Sequence, residues 1–190
     1  MGATWPAVAR VLHPAYRVLD GEATAVGWAQ LGNGLGAGTS WSDLTGRRLH
    51  SGENGPGWDS EPAVGPLDPA VTVPLLRRLG AGQEARLYVG EWSGYGNAWP
   101  LGQAVEAGNR EWVLTVLSGP SEIDSWLQGL PTGSVPLPSL VWPGSLRWVL
   151  NADVDLPCTV IGCDPGTLAD LSAAEDLECL ETAVDDSVVL

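Results

Sequence analysis

The chain has 190 residues, of which 44% are apolar, so it is long enough for one domain with a hydrophobic core and too apolar to be disordered. Its formal net charge of −14 disfavours nucleic acid and anionic membranes as partners and suits a basic protein, although the acidity can also serve only to keep a Trp-rich surface soluble. Because the chain contains no apolar run of about 18 residues and no signal-peptide pattern, we expect a cytoplasmic protein without a membrane span.

The composition also sets how the Trp and Cys residues are interpreted. The chain has ten Trp and no Phe, and all nine of its basic residues are Arg, which indicates a GC-rich genome. Since Trp must supply much of the aromatic volume of the core in such a protein, its abundance is not by itself a functional signal. The three Cys lie in the last third of the chain, and their odd number indicates reduced thiols.

The N-terminal third has few clear elements. Residues 4–13 predict a short helix, with Thr4 as its cap and Pro14 beyond its end, and residues 26–31 predict a second one. Residues 32–65 are rich in Gly, Ser, Asn and Asp and predict a long, irregular surface segment.

The middle third predicts helices and strands in alternation. Asp68-Pro69 is a typical helix start, although Pro74 can shift that start along the chain. Residues 85–92 and 111–117 alternate in polarity and predict strands, and residues 121–127 predict a further short helix.

The last third predicts most of the sheet. Residues 139–142, 146–152 and 158–161 are strand-like runs, and a Pro-Gly-Ser turn separates the first two. Asp164-Pro165 predicts the start of a last helix. The sequence therefore predicts an α+β fold in a single domain of residues 1–190, with a mainly antiparallel sheet from the second half and helices packed on one face.

Motifs that carry chemistry are weak in this chain. The Asp153 and Asp155 carboxylates can hold a divalent ion, but they fit better a strand end whose side chains face solvent. Cys158 and Cys163 lack the second ligand pair that a zinc site needs, and His13 suits a structural role at a helix end. Without a phosphate loop or a nucleophile triad, we predict no catalytic residue, no metal and no cofactor.

An aromatic turn is the best candidate for a binding surface. The run Trp92-Ser93-Gly94-Tyr95-Gly96, with Trp99 close behind, is typical of a flat surface that stacks on a protein or sugar partner. Trp41 and Trp58 from the irregular segment are expected to join it. The Trp residues expected in the core instead are Trp112, Trp142 and Trp148.

Several phrases of the sequence match a known pattern. They are Trp5-Pro6-Ala7, residues 10–15, Gly27-Trp28-Ala29, the Trp92 turn, and Trp142-Pro143 with Trp148 and Asp153-Val154-Asp155-Leu156 before Thr159. With these residues the chain resembles a family of uncharacterised actinobacterial proteins with no assigned activity. That family has an Asp-Arg pair where this chain has Ser145-Leu146, and Gly-Gly where it has Gly162-Cys163. The resemblance implies a single-domain bacterial protein in the cytoplasm and implies no reaction.

Two functional hypotheses follow. The leading one is a non-catalytic, acidic protein-binding domain, such as an immunity, inhibitor or accessory protein for a basic partner, which uses the aromatic residues around Trp92. The alternative is a small-ligand binder or an enzyme of unrecognised type, with His13, Arg147, Asp153 and Asp155 lining a pocket. Convergence of these four side chains in a concave pocket would favour the alternative. The sequence leaves the oligomeric state open.

Overall fold

The computed structural model describes residues 5–31, 58–66, 69–95, 102–107, 110–132 and 137–182. Within these residues, eight strands form one antiparallel sheet and two more form a separate hairpin. The strands are β1 (Ala7–Leu12), β2 (Ala15–Leu19), β3 (Glu22–Val26), β4 (Arg86–Trp92), β5 (Gln103–Ala107), β6 (Arg110–Ser118), β7 (Leu140–Pro143), β8 (Val149–Asn151), β9 (Cys158–Cys163) and β10 (Cys179–Thr182).

The large sheet has the order β10-β1-β9-β8-β7-β4-β6-β5, with every neighbouring pair antiparallel. β1 lies between β9 and β10, so the two ends of the described chain meet in one part of the sheet. Because neighbouring strands alternate in direction, the last residue of β4, the first residue of β6 and the chain after β8 lie at the same end of the sheet. We call this end the Trp92 end.

The strands β2 and β3 form a hairpin whose turn is Asp20-Gly21. Both turn residues have positive φ angles, 53° and 84°, as a two-residue type I′ turn requires. Asp59 holds β2 near this turn, because its Oδ2 accepts a hydrogen bond of 2.7 Å from Val18 N. The tip is exposed, and Leu19 is among its exposed apolar side chains.

Within the described residues, four α-helices lie between the strands. They are α1 (Trp28–Leu31), α2 (Pro69–Arg78), α3 (Pro120–Gly129) and α4 (Pro165–Ser172), with 3-10 turns at Ala81–Gln83, Ser93–Tyr95 and Leu130–Thr132. Asp164 caps α4, and its Oδ1 accepts from Gly166 N and Thr167 N. No helix in the described residues is long and apolar enough to cross a membrane.

One hydrophobic cluster joins α2, α3 and α4 to the sheet, with Leu75, Ile123 and Leu171 among its buried helix residues. Its sheet residues occupy alternate strand positions, as Leu87 and Val89 do on β4. A second cluster consists of Leu12, Trp28 and Cys158, packed against Leu156, Val160 and Leu180. The two clusters together bury both faces of the sheet around β1.

The prediction of an N-terminal helix is wrong, because residues 7–12 form β1. All six residues of this strand are buried, with Ala9 and Val11 in the large cluster and Leu12 in the second one. A strand that is buried on both faces shows no polar alternation, so its apolar run resembles the buried face of a helix.

The other predicted elements are confirmed in part. The strands predicted at 85–92, 111–117, 139–142 and 158–161 are confirmed by β4, β6, β7 and β9, and α2, α3 and α4 begin where the sequence predicts helices. The fold is confirmed as mainly antiparallel sheet with a few helices. Its sheet does not come from the second half alone, because β1 and β4 belong to it. Most of the predicted irregular segment, residues 32–57, lies outside the described residues.

Candidate functional site

Two Trp side chains mark one face of the sheet at the Trp92 end. Trp92 ends β4 and lies opposite Trp112 of β6, and both are half-buried. The 3-10 turn that follows β4 passes so close to the Trp92 ring that a Cβ on Gly94 would collide with it. The Arg110 guanidinium carbon lies 5.7 Å from the Trp92 ring centroid, within the range of a cation–π contact. The indole of Trp92 is thus held between a glycine and a cation.

Arg110 also pairs with Asp153 and Asp155, the two aspartates that stand out in the sequence. Its Nη1 donates to Asp153 Oδ2 at 3.0 Å, and its Nη2 lies 3.5 Å from Asp155 Oδ2. Asp155 N donates to Asp153 Oδ1 at 3.1 Å, which folds the chain after β8 into a tight turn. The side chain of Asp155 is 63% exposed, so this carboxylate keeps room for a further cationic partner.

The opposite face of the same end carries three more carboxylates. Glu106 of β5 and Glu111 of β6 lie directly opposite each other, and both are exposed. Like charges in direct cross-strand pairs are destabilising. Glu91 of β4 lies opposite Val113 and therefore shares this face with Glu111, two residues along β6. The Trp92 end thus carries five described carboxylates, two paired with Arg110 on one face of the sheet and three on the other face.

Glu91 differs from the other four carboxylates because it is buried, with 3% of its surface exposed. Burial raises its pKa from the ordinary value of 4.5 to about 7, because the charged form loses its hydration. Its Oε2 accepts no hydrogen bond from the residues that the structure describes. At neutral pH this group is therefore divided between its neutral and charged forms.

The face that carries Trp92 continues as an aromatic and apolar surface. Tyr88 stacks on Trp142 of β7 with ring centroids 5.2 Å apart and planes 5° from parallel. Between Tyr88 and Trp92, Gly90 lets neighbouring side chains close over the strand, since a Cβ there would lie 2.9 Å from Leu114 Cδ2 and 3.3 Å from Leu140 Cβ. We call this surface the aromatic face.

A cavity of about 300 Å³ opens on the aromatic face. Its lining consists of Trp5, Leu140, Trp142, Leu146 and Val149. Leu146 has a positive φ of 53° and is 60% exposed, so the turn between β7 and β8 presents an apolar side chain at the rim. A cavity of this size accommodates one large apolar side chain.

The four residues of the alternative pocket do not form one cluster. Arg147 precedes β8 and donates to Glu84 Oε1 at 2.6 Å, whereas Asp153 follows β8 at the other end of the strand and pairs with Arg110. His13 shares the end of the sheet with Asp153, but it is only 2% exposed. The hypothesis that His13, Arg147 and the aspartates line one pocket therefore has no support in the described contacts.

The contacts of His13 indicate a structural role. Its Nδ1 lies 2.6 Å from Ala63 O and its Nε2 lies 3.0 Å from Thr159 Oγ1, so both ring nitrogens are engaged. Burial lowers its pKa from 6.5 to about 4 by removing hydration from the imidazolium, and the hydrogen bond to Ala63 O opposes this shift. His13 is therefore neutral at physiological pH and ties the segment of Ala63 to the sheet.

The other predicted partner-binding residues can be placed only in part. Trp58 packs against Ala15 and Val26 at the base of the β2–β3 hairpin, so it belongs to a small apolar cluster there. Tyr95 ends the 3-10 turn after Trp92. The positions of Trp41 and Trp99 lie outside the described residues.

A second cavity, of about 440 Å³, lies beside α1 and the chain after α4. Its lining includes the carboxylates of Glu175, Asp176 and Glu178. Glu178 accepts from two backbone N–H groups of α1, at 2.5 and 2.7 Å, and Asp176 pairs with Arg78 at 2.6 Å. Because two of its three carboxylates already bind structural partners, we assign no ligand to this cavity.

The cysteines have the character of core residues. Cys158 and Cys163 are fully buried, and burial raises the pKa of both thiols, that of Cys163 to about 11. A thiol that stays protonated at neutral pH is a poor nucleophile and a poor metal ligand. In the described part of the chain, no group of three or more His, Cys, Asp or Glu side chains could hold a metal ion.

Sequence reasoning did not single out Arg110, Glu106 or Glu111. A signal for them exists, because the dipeptide Gly108-Asn109 separates two strand-like runs and predicts a two-residue hairpin. Such a hairpin puts Glu106 opposite Glu111, as the register of β5 and β6 does. The pairing of Arg110 with Asp153 has no such local signal.

Comparisons with known proteins assign no family to this chain. No model of a protein family, no curated protein and no solved structure matches it. The resemblance to the actinobacterial family stays a prediction, and the function is argued from the geometry alone.

Proposed function

We propose that this protein is a non-catalytic, acidic binding domain that docks a basic segment of another protein at the Trp92 end of its sheet. The observation that carries the proposal is the composition of this end, where the described residues include two Trp side chains, Arg110 and its two paired aspartates on one face of the sheet and three further carboxylates on the other. Acidic groups raise the rate of encounter with a basic partner, and aromatic side chains supply the contact area that holds it. An immunity, inhibitor or accessory protein would act in this way.

The directly opposed pair Glu106 and Glu111 supports a basic partner in particular. Two exposed carboxylates in cross-strand contact repel each other in the isolated protein. A Lys or Arg side chain placed between them would remove that repulsion on binding. Asp155, which is 63% exposed, offers a second contact on the other side of the strands. The partner therefore gains from several carboxylates at once.

The aromatic face extends the proposed contact surface away from the charges. We take α2, α3 and α4 to cover the opposite face of the sheet, which leaves Tyr88, Trp142 and the apolar cavity available to the partner. A single large apolar side chain of the partner would fill the cavity of about 300 Å³. Central apolar anchors of this kind contribute most of the binding free energy in many interfaces. The partner segment is then basic with one apolar anchor, and the encounter takes place in the cytoplasm.

Site-specific photo-cross-linking tests the position of this surface. A cross-linking amino acid replaces Val116, which lies on β6 beside the aromatic face and is 45% exposed, and in a control variant it replaces the exposed Asp170 of α4. In lysate of the native organism, we expect the Val116 variant to cross-link one protein through a Lys- or Arg-rich segment and the Asp170 variant to cross-link none. Equal cross-linking at both positions, or none at Val116, would contradict the proposed surface.

No described observation favours the alternative of an enzyme or small-ligand binder built from His13, Arg147, Asp153 and Asp155. Arg147 is paired with Glu84, both ring nitrogens of His13 are engaged, and the two aspartates are paired with Arg110. We therefore propose no reaction for this protein.

A further inference from the structure

We propose that Glu91, Ser139 and Thr115 form an interior site for one small monovalent cation, either an alkali-metal ion or an ammonium group. The site lies on the face of β4, β6 and β7 opposite the aromatic face. It does not depend on the proposed docking of a basic protein. Three buried oxygen atoms lie on neighbouring parts of the sheet here, without a hydrogen-bond partner among the described residues.

The strand register brings the three side chains together. Thr115 lies opposite Val89 on the neighbouring strand β6, and Val89 and Glu91 point to the same face of β4. On the other side of β4, Gly90 pairs with Leu140, and Ser139, the residue before β7, donates its N–H to Gly90 O at 3.0 Å, one residue from Glu91. The three side chains thus lie at neighbouring positions on β4, β6 and the chain just before β7, with Thr115 diagonal to Glu91.

None of these three oxygens has a hydrogen-bond partner in the described part of the chain. Glu91 Oε2, Ser139 Oγ and Thr115 Oγ1 are all buried and unpaired, while Ser139 is fully buried and Glu91 is 3% exposed. Leaving a buried polar atom unpaired is costly, and three neighbouring cases are unusual in a native protein. A ligand that the three oxygens share would remove all three penalties.

The charge of the site selects the class of ligand. Oxygen atoms are the preferred ligands of alkali-metal ions, and they also accept the N–H donors of an ammonium group. One buried carboxylate balances one positive charge, and the two hydroxyl groups add none. Glu111, exposed on the same face of β6, and its partner Glu106 favour a cation further by their negative potential. A divalent ion would need a second buried carboxylate, which the three residues do not supply.

Cation binding at this site requires the charged form of Glu91. Because burial raises the pKa of Glu91 to about 7, a cation that binds below pH 7 displaces a proton. We therefore expect the half-saturating cation concentration to fall by about tenfold for each unit of pH between 5 and 6.5 and to level off above pH 7. A merely structural role of Glu91 would not produce this dependence.

The test is thermal unfolding of the full chain at constant ionic strength, with K⁺, Na⁺, ammonium or methylammonium replacing choline, a larger cation that has no N–H donor. We expect a saturable rise in Tm with at least one of these cations. The rise should vanish in Glu91→Gln and should need at least tenfold more cation in Ser139→Ala and in the isosteric Thr115→Val. The exposed Glu175→Gln serves as the matched control and should respond as the unaltered chain does.

Two outcomes would overturn the proposal. The first is a Tm that is independent of the cation at every pH, which would mean that interior water satisfies the three oxygens. The second is an unchanged cation response in Glu91→Gln, which would place any binding elsewhere. Because the readout is the dependence of Tm on cation and not Tm itself, it remains valid when a variant is less stable.

Discussion

At the scale of single residues, two buried titratable groups have opposite effects on how the stability of the protein depends on pH. The pKa of Glu91 is raised to about 7, so its neutral form contributes stability that is present below pH 4.5 and is lost as the pH rises through 7. The pKa of His13 is lowered to about 4, so its neutral form contributes stability that is present above pH 6.5 and is lost as the pH falls through 4. Between pH 4.5 and 6.5 the two effects largely cancel.

Replacing Glu91 by Gln removes one of these two opposing effects. We expect the free energy of unfolding of Glu91→Gln, relative to the unaltered chain, to increase by roughly 3 kcal/mol between pH 4 and pH 8, since each unit of pKa shift corresponds to about 1.4 kcal/mol. Urea unfolding curves at a series of pH values measure this difference, and the shared titration of the surface carboxylates cancels in it. In His13→Asn the relative stability should fall with pH over the same range. A difference that is independent of pH in both variants would show that neither group titrates as burial requires.

At the scale of elements, the caps and turns follow their local sequences. Asp164 in its extended conformation holds the first turn of α4 through Gly166 N, Thr167 N and Thr167 Oγ1, and these hydrogen bonds lower the pKa of its carboxyl group. The same Asp-Pro pattern that predicts α4 from the sequence thus produces the observed cap.

Removal of this cap should weaken α4 and the core beneath it. We expect Asp164→Ala to lower the free energy of unfolding at neutral pH by about 1 kcal/mol, because the N–H groups of the first turn lose their acceptor. Asp164→Asn retains an acceptor oxygen and should lose only a few tenths of that amount. Chemical denaturation of the two variants measures both values. Equal losses would mean that charge, not the hydrogen bonds, stabilises the start of α4.

Local patterns predict elements that lie at the margin of the core better than those at its centre. The strands β4 and β6 alternate and are predicted within about two residues, whereas β1 is buried on both faces and presents the apolar run of a buried helix. The hairpin of β2 and β3 has a sequence signal in Asp20-Gly21, a dipeptide typical of two-residue turns.

The candidate site, too, can be predicted from the sequence only in part. Trp92 and the aspartates Asp153 and Asp155 stand out in the sequence, and each lies at the Trp92 end of the sheet. Their connection through Arg110 follows from the strand order β8-β7-β4-β6, which no local pattern contains. The burial of Glu91 likewise depends on what packs over its strand. Sequence patterns therefore identify some of the chemical groups but not their partners.

At the scale of the whole molecule, the acidic residues are distributed unevenly. The net charge of −14 is a property of the entire chain. The Trp92 end differs from the rest because it combines carboxylates with half-buried Trp side chains and an apolar cavity on the adjoining face. A long-range acidic field attracts any basic protein, while only a surface with apolar anchors retains one. We therefore expect binding to depend on this end specifically and not on the total charge.

Two charge-matched variants separate these possibilities. The site variant is Glu106→Gln with Glu111→Gln, and the control variant is Asp170→Asn with Glu175→Gln on and after α4. Each removes two of the negative charges of the chain, so the total charge is the same in both.

The most direct measurement is the amount of one basic partner that each tagged variant captures from lysate of the native organism, at low salt and at about 0.5 M salt, where screening is strong. We expect the site variant to lose at least tenfold in capture at low salt, the control variant to bind as the unaltered chain does, and high salt to weaken all three. Equal capture by the site and control variants would contradict the claim that the Trp92 end is the binding surface.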